Sequence, residues 1–503
     1  MARNTNLRSR RSAAQLDALA GVRREIRSQD SSEHRKYLKD FSQAYRSYES
    51  VLDNDQLAAE IQKADILLIG DYHALPASQR YAAALMEQRA QPGDRPIVLG
   101  VETIFSRDQH IVDEWWRHEA DENELRHRLR FDIDWGYEWS PFYELLLSAR
   151  EHGEGVYGLD CMPRENLRRI GARDRHAAVK MSEIRQQHPN AVIAVLFGES
   201  HLAPGHLPRA VRVALPNDHV TTVLQNIDPL YWRAAGEEND CVEAVKISEE
   251  VFCVFTSTPL EKYENYRLHL SRWGRDGNDP DMAPTFYNLV ESLMRFLDID
   301  GYSSHNGTQP KFLVDLLPEI DSGACEDRLI KLLERWGVTS HEAILQQLES
   351  RGCVYIPELN TFHAREFQMA YAAEDAARFL HHACRGLPVR RRLKKTRSGD
   401  VFFEKVIEHA LGYLGSRILY PARPAVSGQR LPSSPDENPA AGAELLGFML
   451  GNSLYDKYVQ GRVTRLAIRR LFMTKLNEPG AARTLYEELS NKLRSGKQDH
   501  AGA

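Results

Sequence analysis

Cysteine is scarce and scattered in this chain. The six residues Cys161, Cys241, Cys253, Cys325, Cys353 and Cys384 form no Cys-x-x-Cys pair, which argues against a disulfide framework and the usual zinc-cluster spacings. They are expected as reduced thiols. Long apolar runs are missing too: nothing approaches the roughly 18 consecutive apolar residues of a membrane span. The basic stretch Met1–Arg11 leads into polar, helical sequence instead of the apolar centre of a secretion signal. The expectation is a cytoplasmic chain. An excess of positive charge is also absent. With 65 Lys and Arg against 71 Asp and Glu, the net charge of -6 gives no general attraction for nucleic acid or anionic lipid.

What is present is ordinary globular composition, 42% apolar and 27% charged, in 503 residues. That length exceeds what one core supports, so two or more domains are expected. Residues 12–50 are rich in Arg, Glu, Gln and Ala and read as surface helices within an N-terminal extension, 1–60. Next come the short apolar runs Asp65-Ile-Leu-Leu-Ile, Pro96-Ile-Val-Leu, Gly155-Val-Tyr and Ala191-Val-Ile-Ala-Val-Leu-Phe, separated by long helical stretches. Further strands are expected at Val220–Asn226 and Val242–Phe255. Continuous apolar runs alternating with helices signal a parallel sheet buried on both faces. The fold class is therefore α/β over residues 61–263, a mostly parallel, mixed sheet with helices on both faces.

Residues 264–503 read as an all-α C-terminal domain, with helical spacing over Pro280–Phe296, Cys325–Trp336, His341–Ser350, Phe362–Cys384, Val401–Tyr420 and Ala443–Met473. Five prolines make 421–442 a loop. It separates two similar segments, Leu411-Gly-Tyr-Leu-Gly and Leu446-Gly-Phe-Met-Leu-Gly, whose Gly447 and Gly451 share one helix face and suit close helix packing.

Four predicted strands end alike, in a glycine followed closely by an acid: Gly70-Asp71, Gly100-Val-Glu102, Gly158-Leu-Asp160 and Gly198-Glu199. Two continue to a histidine, as Gly70-Asp-Tyr-His73 and Gly198-Glu-Ser-His201. Ligands of open parallel sheets bind outside the carboxyl ends of the strands, so these turns should converge. Carboxylates around imidazole either fix its tautomer and raise its basicity or join it on a metal. Taken singly, Asp71 and Glu199 would only cap helices; four such turns together point to a site.

The frame Leu68-Ile-Gly-Asp-Tyr-His73 with Gln79, then Leu99-Gly-Val-Glu102, Trp135-Gly-Tyr-Glu-Trp-Ser-Pro-Phe-Tyr143, Gly171-Ala-Arg-Asp174 and Leu196-Phe-Gly-Glu-Ser-His201 resembles the ChaN-like haem-binding proteins. Their wider superfamily includes the TIKI-type peptidases, TraB-like proteins and erythromycin esterase-like hydrolases. The likeness covers about 200 residues. It implies haem as a cofactor, a small-molecule partner, and two copies pairing around it as a homodimer, with Tyr72, Tyr137 and Tyr143 as candidate iron ligands. The hydrolase branch implies instead that His73, Glu102 and His201 are catalytic or bind a divalent metal ion, one of the histidines acting as general base. Asp71, Tyr72, Asp160, Arg173 and Glu199 are the remaining candidate ligand-binding residues, Arg173 for an anion. The family's first turn usually has Glu where this chain has Asp71, one methylene shorter. A third reading is a scaffold acting through the helical half.

Other signals are weaker. His363-x-x-Glu366, Glu374 and His381-His382 on one predicted helix, and Glu404-x-x-x-Glu408-His409 on another, lack the di-iron Glu-x-x-His spacing and read as solvated polar faces. The basic run Val389–Arg397 reads as a solvated loop, and Trp115-Trp116 as core packing.

Overall fold

A computed structural model describes residues 2–30, 36–89, 93–161, 170–237, 242–273, 280–300, 316–323, 326–338, 340–385, 398–425, 439–476 and 478–495. The chain divides into two compact units, Glu25–Gly274 and Met1–Arg24 with Arg275–Ala503.

In the first unit the apolar runs are strands: β1 (Ser50–Leu52), β2 (Ile66–Asp71), β3 (Ile97–Phe105), β4 (Val156–Asp160), β5 (Val192–Gly198), β6 (Val220–Gln225), β7 (Ala244–Ser248) and β8 (Val251–Val254). They form one sheet in the order β1-β7-β8-β6-β2-β5-β3-β4. From β8 through β4 neighbours are parallel, while β7 is antiparallel to both β8 and β1. The mixed α/β sheet is thus as read from the sequence, with one refinement. The run expected as a single strand over Val242–Phe255 folds back at Glu249-Glu250 into a hairpin, because two adjacent acids are poorly placed inside a buried strand.

Period-two alternation explains why these strands are apolar throughout. Leu67, Ile69, Leu99, Val101, Ala194 and Leu196 belong to one core cluster. Their chain neighbours Ile66, Leu68, Val98, Ile193, Val195 and Phe197 belong to another. Each cluster is roofed by helices: Pro76–Gln88 and Trp139–His152 supply Ala82, Met86 and Leu145 to the first, and Ile170–Gln187 and Leu207–Ala214 supply Ala177, Met181 and Val211 to the second. Burying each such large aliphatic side chain stabilises by roughly 1.5–3 kcal/mol. Trp115 lies in the first cluster, as core packing. Phe41 and Tyr45 also pack in the second, the Tyr45 hydroxyl donating to the Leu202 carbonyl at 2.6 Å.

The second unit is mainly helical, with helices Ala283–Leu297, Glu326–Trp336, His341–Arg351, Met369–Arg385, Ser398–Leu419, Pro439–Val459, Arg465–Met473 and Ala481–Ser495. It also holds a small sheet that the sequence did not announce, of β9 (Glu319–Ser322), β10 (Cys353–Ile356) and β11 (Thr361–Ala364) in the order β10-β11-β9. Pro357 and the left-handed Asn360 (φ 49°) turn β10 back into β11. His363 therefore lies on a strand, apart from the helix that carries Glu374, His381 and His382. Gly447 and Gly451 allow close helix packing: a Cβ at Gly451 would stand 2.5 Å from the Ala410 carbonyl and one at Gly447 would strike His409 and, at 2.8 Å, the Val406 carbonyl. Of the proline-rich stretch, 421–425 is non-helical, 426–438 lies outside the described residues, and Pro439 opens a helix. The basic run Val389–Arg397 also lies outside them. Among the described residues, no helix is long and apolar enough to cross a membrane.

Candidate functional site

The four acidic segments lie on adjacent strands, β2-β5-β3-β4: Asp71, Asp160 and Gly198-Glu199 stand at the carboxyl ends of β2, β4 and β5, whereas Glu102 lies within β3, which runs on to Phe105 instead of ending at the motif. The local backbone aims their side chains at one point. The register between β3 and β4 is irregular from Val101 to Phe105, the stretch that carries Glu102; such irregularities re-aim side chains. β5 stops at Gly198 and a 3-10 turn, Glu199–Leu202, brings His201 inward. Glycine is required at 198 for space: a Cβ there would stand 2.8 Å from Glu102 Oε2 and 3.4 Å from His73 Nε2. Gln225, at the end of β6, donates from Nε2 to the carbonyls of Gly70 at 2.8 Å and Ser78 at 3.0 Å, fixing the first turn and the helix after it.

Two histidine–carboxylate pairs flank a guanidinium. His73 Nδ1 is 2.6 Å from Asp71 Oδ2, and Gln79 Nε2 donates to the other oxygen of Asp71 at 2.5 Å. His201 Nδ1 is 2.6 Å from Asp174 Oδ1. Between them Arg173 donates from Nε and Nη2 to the two oxygens of Asp160, both at 2.8 Å, and from Nη2 to Glu102 Oε1 at 2.5 Å. The Gly198 amide donates to Glu102 Oε2 at 2.5 Å. The Nε2 atoms of His73 and His201 face Glu102 from 3.6 and 3.8 Å. Asp160 has no exposed surface, whereas the His73 side chain is 14% exposed and forms the open edge of the cluster.

Charge in so buried a place must be compensated. Burial by itself pulls the Glu102 carboxyl up, but Arg173, His201, His73 and the Gly198 amide outweigh it and hold the group down to about 2. Arg173 is likewise pushed above its ordinary value, since its two carboxylates outweigh its burial. Asp71 goes the other way: burial raises it, and His73 and Gln79 offset this only in part. A carboxyl biased toward its proton beside an imidazole is a proton-sharing pair.

The structure therefore brings Asp71, His73, Glu102, Asp160, Arg173 and His201 together. It does not make a metal shell of His73, Glu102 and His201. Both oxygens of Glu102 are engaged by Arg173 and Gly198, and Arg173 Nη1 lies 3.4 Å from His201 Nε2, where a cation would be repelled. Among the described residues no group of three or more His, Cys, Asp or Glu is placed to hold a metal ion. Arg173, expected to meet an anionic ligand, already has two carboxylates of its own.

Tyr72 and Glu199 form a second group, around Lys262. Lys262 Nζ donates to both oxygens of Glu199 at 2.9 and 3.0 Å and lies 4.4 Å from the centre of the Tyr72 ring. Burial raises the Tyr72 phenol well above its ordinary value, and Tyr263 and Glu199 add to this. Burial also raises Glu199, with Lys262 opposing. Tyr143 is stacked on Trp139, 5.6 Å between centroids, and meets Trp115 edge-on. Tyr137 is placed otherwise: its ring lies 5.2 Å from that of His73 and stacks at 4.2 Å on His269. Trp135 and Phe142 complete the aromatic surround of His73. Asp174 and Gln79 stood inside the sequence frame without a role; being next to Arg173 and one helical turn past the first motif were their signals. Lys262, about 60 residues beyond the last motif, carried none.

Residues 57–194 match the family described as "Haem-binding uptake, Tiki superfamily, ChaN". The matched stretch includes His73, Glu102, Asp160 and Arg173 and stops before His201. No curated protein matches the chain. A solved structure described as "Cofacial heme binding to ChaN of Campylobacter jejuni" aligns at 15% identity over 40% of this chain and 91% of that one, with a TM-score of 0.28.

Proposed function

We propose that the chain, whose residues 57–194 match the family described as "Haem-binding uptake, Tiki superfamily, ChaN", binds haem at the carboxyl ends of its sheet, beside the exposed edge of His73. The observation that carries this reading is the placing of Tyr137. An iron-bearing planar ligand needs a donor atom and flat apolar walls. Of the three candidate tyrosines, Tyr72 lies under Lys262 and Tyr143 within a tryptophan stack, while Tyr137 stands next to His73 among Trp135, Phe142 and His269. Tyrosine is a known haem-iron donor, and bound haem would supply its iron's redox and ligand chemistry there. Asp71 engages His73 Nδ1, while His73 Nε2 faces Glu102 Oε2 from 3.6 Å and the His73 ring lies 5.2 Å from that of Tyr137. Glu102 is itself held by Arg173.

Haemin titration tests this. The wild type should develop a stoichiometric Soret band, weakened and shifted in Tyr137→Phe and weakened in His73→Ala. No band, or the same band in all three proteins, would remove the site from the reading. Sedimentation during the titration would show whether two copies pair on the ligand.

A second reading, hydrolysis, is favoured by one observation: the 2.6 Å pairs of His73 with Asp71 and of His201 with Asp174. A carboxylate on Nδ1 is the arrangement that fixes a general base, leaving Nε2 to accept a proton from water or a hydroxyl. Cleavage of activated esters or amides, lost in His73→Gln, would support this reading, and its absence across a broad panel would count against it.

A further inference from the structure

Away from this site, the mainly helical unit contains a cavity of about 510 Å³ between the helix Glu326–Trp336 and the strands β9 and β11. That volume suits a small-molecule ligand. Arg328, Lys331 and Arg335 line it, three and four residues apart and so on one face of the helix. The helix is seated by Leu333, which packs with Leu348, Val354 and Ile356 in the unit's local core, and by Leu329, which joins that core and also borders the cavity. None of the three cations has an ion-pair or hydrogen-bond partner among the described residues, although both Arg365 and Arg351 nearby in sequence are paired with glutamates.

His363 faces them across the cavity. It is 1% exposed, and neither of its ring nitrogens has a hydrogen-bond partner. Its register partner on β9 is Asp321, whose Oδ2 lies 3.4 Å from Nδ1 without forming a hydrogen bond, and Nε2 is unbonded as well. A polar group buried without a partner is costly and usually marks a missing one. Asp321 and Glu319 are the acids on the lining, so cations exceed acids three to two, and Asp321 is directed at the imidazole. Ile320 and Leu332 supply apolar surface.

The geometry points to a binding site for a small phosphate-bearing molecule, its phosphate held by Arg328, Lys331 and Arg335 with His363 as a further polar contact, and its remainder against Ile320 and Leu332. Guanidinium and ammonium groups converging in a cavity hold a multivalent oxyanion better than a monovalent one, because charge-assisted hydrogen bonds to several oxygens form together. A merely solvated helix face would have neither the concavity nor the buried, unbonded histidine opposite.

The test is isothermal titration calorimetry of the full chain in phosphate-free buffer, with inorganic phosphate and with adenosine monophosphate. Saturable one-site binding is expected, weakened about tenfold or more by Lys331→Gln/Arg335→Gln and again by Arg328→Gln, and unchanged in Arg483→Gln, a cation of the same unit outside the cavity. The substituted cations are exposed, so these variants keep the fold; His363→Gln then adds a buried position to the series. Tighter binding of the nucleotide would assign a phosphate ester, and equal binding the phosphate alone. No saturable binding by the wild type, or equal affinity in the cation variants, would overturn the site.

Discussion

Arg173→Met is the most exacting test of how the cluster is held. The guanidinium is the shared counter-charge of Glu102 and Asp160, and all three are buried. Methionine fills similar volume but leaves two carboxylates in a low-dielectric interior without their partner. Removing one member of a buried ionic group costs about 3–5 kcal/mol, far more than an exposed pair would. For a unit of this size that lowers the melting midpoint by roughly 6–20 °C. The pH dependence gives the sign. In the wild type Glu102 is held down to about 2, so its contribution is fully present above the ordinary glutamate range and is lost only as pH falls through about 2. In the variant, burial acts on Glu102 without Arg173 and raises its carboxyl, so the folded state takes up protons more readily and the loss of stability shrinks as pH is lowered. Urea unfolding at pH 7 and pH 5, followed by circular dichroism, should show a large deficit at pH 7 that narrows at pH 5. A loss under about 1 kcal/mol, or a deficit independent of pH, would refute the assignment of Arg173 as the counter-charge.

Other consequences follow from the same geometry. Gly198→Ala places a methyl group against Glu102 and His73, so it should disturb haemin binding while costing about 1–3 kcal/mol in chemical unfolding; wild-type affinity in a folded variant would show that the two side chains have room to move. Lys262→Met leaves Glu199 without its ammonium partner; because burial then raises that carboxyl further, the destabilisation should be greater at pH 8 than at pH 5, measured by thermal melts. Gly415→Leu drives a side chain into Ala377 and Leu293 and should lower the denaturant midpoint of unfolding, a loss of about 1–3 kcal/mol of stability; a midpoint equal to the wild type's would show that the helices there have room to part.

Much of the sheet unit was legible because each strand carries its own instructions. A run such as Ile66-Leu-Leu-Ile is apolar at every position, and only a strand buried on both faces needs that. The Gly-x-x-His turns were legible for a related reason, since a glycine, an acid and a histidine at a strand's end are chemistry written in consecutive residues. Short segments were not. Cys353-Val-Tyr-Ile and Thr361-Phe-His-Ala, four residues each, are equally compatible with buried helix and strand, and their pairing with each other, and of the second with β9, decides between them.

The sequence by itself determined that the glycine–acid motifs and their histidines belong to strands of a parallel sheet and so to its carboxyl side, because each motif follows an apolar run and ligands of such sheets bind there. Only the tertiary structure decided what they do to one another. Arg173 meets Glu102 across 71 residues of chain, and Gly198 meets it across 96. Those two contacts occupy the carboxylate that would otherwise have completed a metal shell with His73 and His201. Whether a carboxylate binds a metal, a proton or a guanidinium depends on which group stands within 3 Å of it, and partners so distant along the chain are chosen by packing.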